Sequence, residues 1–171
     1  MIVKLSELTS VITKGTTPST IGFGFTDSGV NFLKSEQLVT LRKFNYSNRY
    51  FISPEAHKLL KRSQLEESDI LMSIAGAYLG KLAIVSKEDL PANTNQAVGI
   101  IRCKQELIIP DYLFYYLSTD KMKNTINSFN AQSAQPNINL AQIGELQIEV
   151  PDTPIQKHIV NTISSLLLKS L

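Results

Sequence analysis

The sequence predicts an α+β domain: a mixed sheet with peripheral helices, closed by a C-terminal helix of coiled-coil type. Three observations carry this. Apolar runs of strand length recur at 69–74, 80–85 and 97–102. Helix-start signals, with Pro in the first turn, open segments at Ser53, Pro110 and Thr153. The chain has 171 residues, 43% hydrophobic and 19% charged, which suits one folded domain with a real core.

The elements follow in order. Apolar residues at Leu5, Leu8, Val11 and Ile12 have helical spacing, so the spacing predicts a helix that Lys14-Gly15 ends. Residues 16–29 are rich in Thr, Ser and Gly and predict a long loop, followed by a short strand at 29–34. Ser53 caps a helix with Pro54 at its first position. The three apolar runs then give successive strands, joined between the first two by Gly76 and Gly80, where the backbone must turn sharply. Helices are expected at 110–118 and 119–129, with Tyr112, Phe114, Tyr115 and Tyr116 read as packing residues. A polar loop dense in Asn and Gln follows at 130–139, then a short helix at 140–143 and a strand at 146–150. Thr153-Pro-Ile-Gln reads as a capping box. Ile155, Ile159, Ile163 and Leu166 share one side of the last helix, a stripe suited either to its own domain or to a partner helix.

Charge distribution says more than the net +2. Between Lys34 and Arg62 lie seven basic residues against Glu36 and Glu55, a local +5 that leaves −3 elsewhere. Interleaved with Phe44, Tyr46, Tyr50 and Phe51, this segment reads either as a footprint for a polyanion or as an ordinary solvated face. Asp69, Glu66 and Glu67 read as exposed turn residues. No apolar run is long enough to cross a bilayer and the start lacks a signal-peptide layout, so the cytoplasm is the expected compartment. The single Cys103, in an apolar stretch, reads as a buried strand residue.

Several chemistries are excluded by spacing. Ser73-Ile-Ala-Gly-Ala-Tyr-Leu-Gly-Lys81 has three residues between its glycines where a phosphate loop needs four, and Leu82 stands where Ser or Thr would hold magnesium. Gly22-Phe-Gly24 neither follows a strand nor opens a helix, so it is no dinucleotide fingerprint. His57 and His158 lack Cys or carboxylate neighbours at metal-ligand spacing. No Gly-x-Ser-x-Gly elbow occurs, and no self-sufficient catalyst is visible.

The order and spacing of five segments resemble the DNA specificity (S) subunit of type I restriction-modification systems. They are KLSELTSVITKGTTPST, SDILMSIAGAYLGKLAIV, NTNQAVGIIR, PDYLFYYL and AQPNINLAQIGELQIEVPDTPIQKHIVNTI. The family pattern has Glu-Gln where this chain has Ile155-Gln156. The resemblance implies a target recognition domain over 1–152 and the start of a spacer or dimerisation helix over 153–171. It implies a non-catalytic subunit that binds double-stranded DNA for partner modification subunits, which methylate adenine with S-adenosylmethionine, and for a restriction subunit that uses ATP and magnesium. No cofactor is expected in this chain itself. Complete subunits hold two such domains, so one domain implies a natural half-subunit, a fragment or a truncation product. A half would form a homodimer through helix 154–171 and read a split palindrome. Under this resemblance the candidate DNA-binding residues are Lys14, Thr16, Thr17, Lys34, Arg42, Lys43, Tyr78, Lys81, Asn95, Gln96, Gln135 and Asn137. Lys and Arg are expected on phosphates and the carboxamides on bases. Two other classes stay open: the recognition part of a fused methyltransferase or restriction enzyme, and a protein-interaction module that does not bind DNA.

Overall fold

A computed structural model describes residues 1–39, 43–129 and 136–169. In chain order the strands are β1 (Ile2–Lys4), β2 (Thr9–Lys14), β3 (Val30–Leu33), β4 (Phe51–Ile52), β5 (Ile70–Ser73), β6 (Leu82–Ile84), β7 (Ala92–Thr94), β8 (Val98–Cys103) and β9 (Gln147–Glu149). The helices are α1 (Pro54–Leu59), α2 (Pro110–Leu117), α3 (Asp120–Ser128), α4 (Leu140–Gly144) and α5 (Thr153–Lys169). The central sheet is antiparallel in the order β2-β8-β5-β6. A smaller sheet, β4-β3-β7, has β3 and β7 parallel, and β1 pairs with β9.

Strands β5, β6 and β8 are buried on both faces, which is why they read as apolar runs. Ile70, Met72, Leu82, Ile84 and Ile101 face the helices and meet Leu113, Ile126 and Ile143. Their neighbours Leu71, Ala83, Val98 and Ile100 face the smaller sheet and meet Leu33, Leu65 and Ala92. A one-residue slip would exchange the two cores, so register is strongly specified. Each fully buried Leu or Ile contributes about 1.5–3 kcal/mol of transfer free energy. A third cluster, Val30, Phe32, Ile52, Ala56 and Leu60, packs α1 on the outer face of β3. Cys103 is buried at the end of β8, and burial pushes its thiol up to about 12.

Three expectations are corrected. Residues 3–12 are not a helix: a short 3-10 turn at Leu5–Glu7 buries Leu5 and Leu8, and Thr9–Lys14 pairs with β8. The i, i+3 recurrence of the 3-10 turn imitates helical spacing, and β-branched Thr9, Val11, Ile12 and Thr13 favour the strand that follows. Asp69 is not an exposed turn residue. It is fully buried, and the Arg102 guanidinium donates to its two oxygens at 2.7 and 2.8 Å, while the Glu66 N–H donates at 2.8 Å. Burial raises the Asp69 pKa against the opposing pull of Arg102. The capping box at Thr153 is also absent. Gln156 is buried and turns away from the helix start: it accepts from the Ile109 N–H at 2.9 Å and donates to Pro151 O at 2.9 Å. It thereby fastens α5 to the entry of α2, helped by Tyr115 Oη and Ser164 Oγ at 3.2 Å.

One close approach fixes the end of the molecule where the loops gather. The Gly15 N–H donates to Val98 O at 3.1 Å, and the Thr16 N–H to Thr94 O at 2.9 Å. A Cβ on Gly15 would stand 2.1 Å from Thr94 O and 2.3 Å from Asn95 O, so only glycine permits this crossing.

Two stability measurements test these constraints. Replacing Gln156 with Leu orphans a backbone donor and a backbone acceptor, and urea unfolding should show a loss of about 1–3 kcal/mol; an unchanged midpoint would refute the fastening role. Gly15→Ala should cost roughly 2–4 kcal/mol in the same assay. Gly24→Ala, where a Cβ meets nothing within 4 Å, should stay within about 0.5 kcal/mol of the parent.

Candidate nucleic-acid interface

The registers decide which residues share an end of the sheet. Ser73 pairs with Val98 and Lys14 with Gly99, so the exits of β5 and β2 lie beside the entry of β8. The parallel pair Leu33 and Thr94 sends Lys34 and Asn95 out together. Ile74 donates its N–H to Ala97 O at 2.9 Å, which ties the β5–β6 connection to the β7–β8 turn. Ala75 bridges Asn137, and the Gly76 N–H donates to Pro136 O at 3.0 Å. Thus Lys14, Thr16, Thr17, Lys34, Tyr78, Lys81, Asn95, Gln96 and Asn137 stand at one end, although they come from five separate stretches of chain.

Each of these side chains has a local reason for its position. In the β5–β6 connection Gly76 and Gly80 have φ of +74° and +77°, the left-handed region that a side chain disfavours. They bracket a short turn that presents Tyr78, 43% exposed, and hand the chain to the exposed Lys81. Lys34 is half-buried, its Nζ 3.4 Å from the Tyr50 ring centroid and 4.5 Å from that of Phe25, so two aromatic faces hold its charge in place. Asn95 Oδ1 accepts from the Ala97 N–H at 3.2 Å and shapes the β7–β8 turn. Gln96 is exposed at the tip of that turn, and the Thr17 hydroxyl donates to its Oε1.

Not every candidate joins this end. Lys43 lies at the opposite end of the sheet, in a groove with Ser68, Val85, Glu67 and Glu88. Acidic side chains surround it there, unlike the lysines at the other end. Arg42 and Gln135 lie outside the described residues. The intended partner stripe on α5 is also divided: Ile159 packs against the core with Val160, whereas Ile155 and Leu166 are 51% and 61% exposed, and Ile163 is half-buried.

Two basic residues join the site that their sequence positions did not single out. The Arg62 guanidinium donates to Thr16 Oγ1 at 2.9 Å, which carries a charge from the turn after α1 into the loop end. Its signal was present in Lys61-Arg62 within the basic segment, but only the tertiary crossing at Gly15 brings Thr16 to it. Lys123 on α3 lines a groove with Gly80 and Lys81. His57 is structural: its Nδ1 bonds to Asn93 Oδ1, whose amide donates to Leu60 O and Ser63 Oγ. Among the described residues no cluster of three or more His, Cys, Asp or Glu could hold a metal, and no helix is long and apolar enough to cross a membrane.

The arrangement can therefore bind a polyanion and read polar edges. Lysines and an arginine supply charge, hydroxyls and carboxamides supply directional donors and acceptors, and the exposed rings of Tyr78 and Phe25 stand among them.

Comparison with known proteins agrees with this reading of the fold. The family model described as the type I restriction modification DNA specificity domain matches residues 1–170. The type I restriction enzyme EcoBI specificity subunit of Escherichia coli is 30% identical over 115 residues, which are 67% of this chain and 24% of that protein. The MjaVIII specificity subunit of Methanocaldococcus jannaschii is 25% identical over 145 residues, 83% of this chain and 34% of that protein. The chain thus spans about a quarter to a third of the length of these curated relatives. Among solved structures, the HsdS subunit from Thermoanaerobacter tengcongensis superposes with a TM-score of 0.75 at 16% identity, covering 99% of this chain and 42% of that one. The S subunit from M. genitalium gives 0.65 at 15% identity, covering 96% and 38%. At such identities the structural likeness is one of fold, while the family match extends over nearly the whole sequence. The chain belongs to the type I restriction modification DNA specificity domain family.

Proposed function

We propose that this chain is a DNA-binding target recognition domain that performs no catalysis and directs modification and restriction subunits to a sequence. The observation that carries the proposal is the gathering of Lys14, Lys34, Lys81 and Arg62 with Gln96 and Asn137 at one end of the central sheet. A rigid sheet end suits base reading, because the groups that touch DNA must hold their geometry to discriminate. Lysines and Arg62 take phosphates, and the carboxamides and Thr17 face base edges. The body over 1–152 forms the recognition unit.

Helix α5 carries the assembly function. One stripe of it, Gln156, Val160 and Ile163, turns toward the domain; the adjacent stripe holds Ile155 and Leu166, both largely exposed. Of the stripe Ile155, Ile159, Ile163 and Leu166, Ile159 is taken up by the core, and the exposed Ile155 and Leu166 are the positions that suit a partner helix. Pairing with a second copy would place two recognition ends about a two-fold axis and make the target a split palindrome. Modification subunits would supply S-adenosylmethionine chemistry, and a restriction subunit ATP-driven cleavage.

Two experiments test these statements. Fluorescence anisotropy with a labelled duplex, titrated at several salt concentrations, should give a log-log slope of about −0.9 per phosphate contacted. Lys81→Ala should make that slope shallower by about one contact, whereas Lys43→Ala should leave it unchanged; salt-insensitive or absent binding would favour an interaction module. For assembly, the chain is co-expressed with a modification subunit in a host without other adenine methylation, and methyladenine is mapped genome-wide. A split palindrome is the expected motif, and an asymmetric motif would contradict pairing of two copies.

A further inference from the structure

Two open grooves with basic side chains lie at opposite edges of the central sheet. Its order, β2-β8-β5-β6, makes β2 and β6 the edges. At the β2 edge a groove of about 320 Å³ is lined by Thr13, Ile100 and the exposed Lys61 and Arg62. Thr13 and Ile100 are register partners, and Ile100 belongs to the core under the smaller sheet, so this groove opens on that face. The 2.9 Å bond from Arg62 to Thr16 Oγ1 places its charge where the groove meets the loop end. At the β6 edge a groove of about 340 Å³ lies where the β5–β6 connection meets α3, with the exposed Lys81 and Lys123 on its walls. Ile126, which also lines it, belongs to the core of the helices, so this groove opens on the other face. The inner strands lie between the two: the Asn95–Gln96 turn enters β8, and β5 leads to the turn that presents Tyr78. Carboxylates nearby are already engaged. Glu66 and Asp69 share Arg102 at 2.5 and 2.7 Å, and Asp120 bonds Lys123 at 3.2 Å, an exposed pair weak enough for a phosphate to displace.

Resting on the reading of this end as the DNA face, we infer that the sheet meets the duplex end-on across one major groove, with Lys81 and Lys123 on the phosphates of one strand and Lys61 and Arg62 on those of the other. Three strand spacings of about 4.8 Å separate β2 from β6 by roughly 14 Å. That span suits a major groove about 12 Å wide and exceeds a minor groove of about 6 Å. Charges on a single strand would leave the domain free to roll about the helix axis. Tracks on both strands remove that freedom and hold the turns of β8 and β5 over the base edges between them. Phosphate contacts thus set the register in which the turns read, without themselves carrying sequence information. Lys61 and Lys123 lie far apart in the chain and outside the loops, so their part in binding follows from the sheet order rather than from any local motif.

The test uses the full chain and a duplex selected from a randomised pool by retention on it. An iron chelate that cleaves DNA nearby is tethered to Lys123→Cys or to Lys61→Cys; Cys103 is buried, so the introduced thiol is the one that reacts. Within one half-site, the Lys123→Cys conjugate should cut one strand and the Lys61→Cys conjugate the other. Dimethyl sulfate should be blocked at guanine N7, in the major groove, and not at adenine N3, in the minor groove. Lys123→Ala and Lys61→Ala should each make the salt slope shallower by about one contact. Lys121→Ala, whose ammonium bonds Glu149 at 2.9 Å in a separate groove, should leave it unchanged. All three positions are exposed, and an unchanged unfolding midpoint confirms that each variant is folded. Cleavage of the same strand by both conjugates or of neither strand by either, protection of adenine N3 in place of guanine N7, or a slope unaltered in both Lys123→Ala and Lys61→Ala would overturn the two tracks while leaving DNA binding standing. A parent chain that retains no duplex would overturn the DNA reading and the tracks together.

Discussion

The strand pair β5 and β8 imposes the constraint from which the rest of this domain follows. Its residues alternate between two separate cores, Ile70, Met72 and Ile101 toward the helices, Leu71, Val98 and Ile100 toward the smaller sheet. Neither core tolerates the other's side chains, so the register Ser73 to Val98 is held from both faces. That register places the β5–β6 connection, the β7–β8 turn and the end of β2 at the same level. Loops at this level inherit the rigidity of the sheet without being part of it. Function is thus separated from stability: the apolar residues that determine the register never reach the surface they organise.

The same logic explains how the small sheet contributes. Thr94 follows the parallel pairing with Leu33 and donates its hydroxyl to Leu33 O at 2.7 Å, which locks β3 to β7 just below Lys34 and Asn95. Gly15 then lays the β2 exit over the Thr94 carbonyl. Three strands from two sheets converge within a few residues, and no single stretch of chain could supply their combined set of groups. At the opposite end the sheet closes with Asp69 and Arg102, and the half-buried guanidinium satisfies a carboxylate that would otherwise be costly to bury.

Much of the fold was legible because period and punctuation agree there. The runs beginning at Ile70, Leu82 and Val98 form the central strands, and Ser53 caps α1 through Ala56 N at 3.2 Å. Where the reading failed, a tertiary partner had overridden a local pattern. Leu5 and Leu8 satisfy helical spacing through a 3-10 turn, Asp69 is a surface type held inside by Arg102, and Gln156 abandons the cap position for Ile109. The site was half legible for a related reason. Residue chemistry and family resemblance named Lys81 and Gln96, but a net local charge could not separate Lys43, which lies at the far end, from Arg62, which lies at the near one. Only the register distinguishes them.

Under the proposed function this sheet end, and not the opposite one, is the surface that meets DNA. Hydrogen–deuterium exchange of the chain with and without a duplex carrying its target sequence tests it most directly. Exchange should slow over residues 14–17, 76–81 and 95–97, with residues 43–46 and 86–89 unchanged. Protection confined to the Lys43 and Asp89 end, with the Gly15 and Gln96 end unaffected, would contradict it.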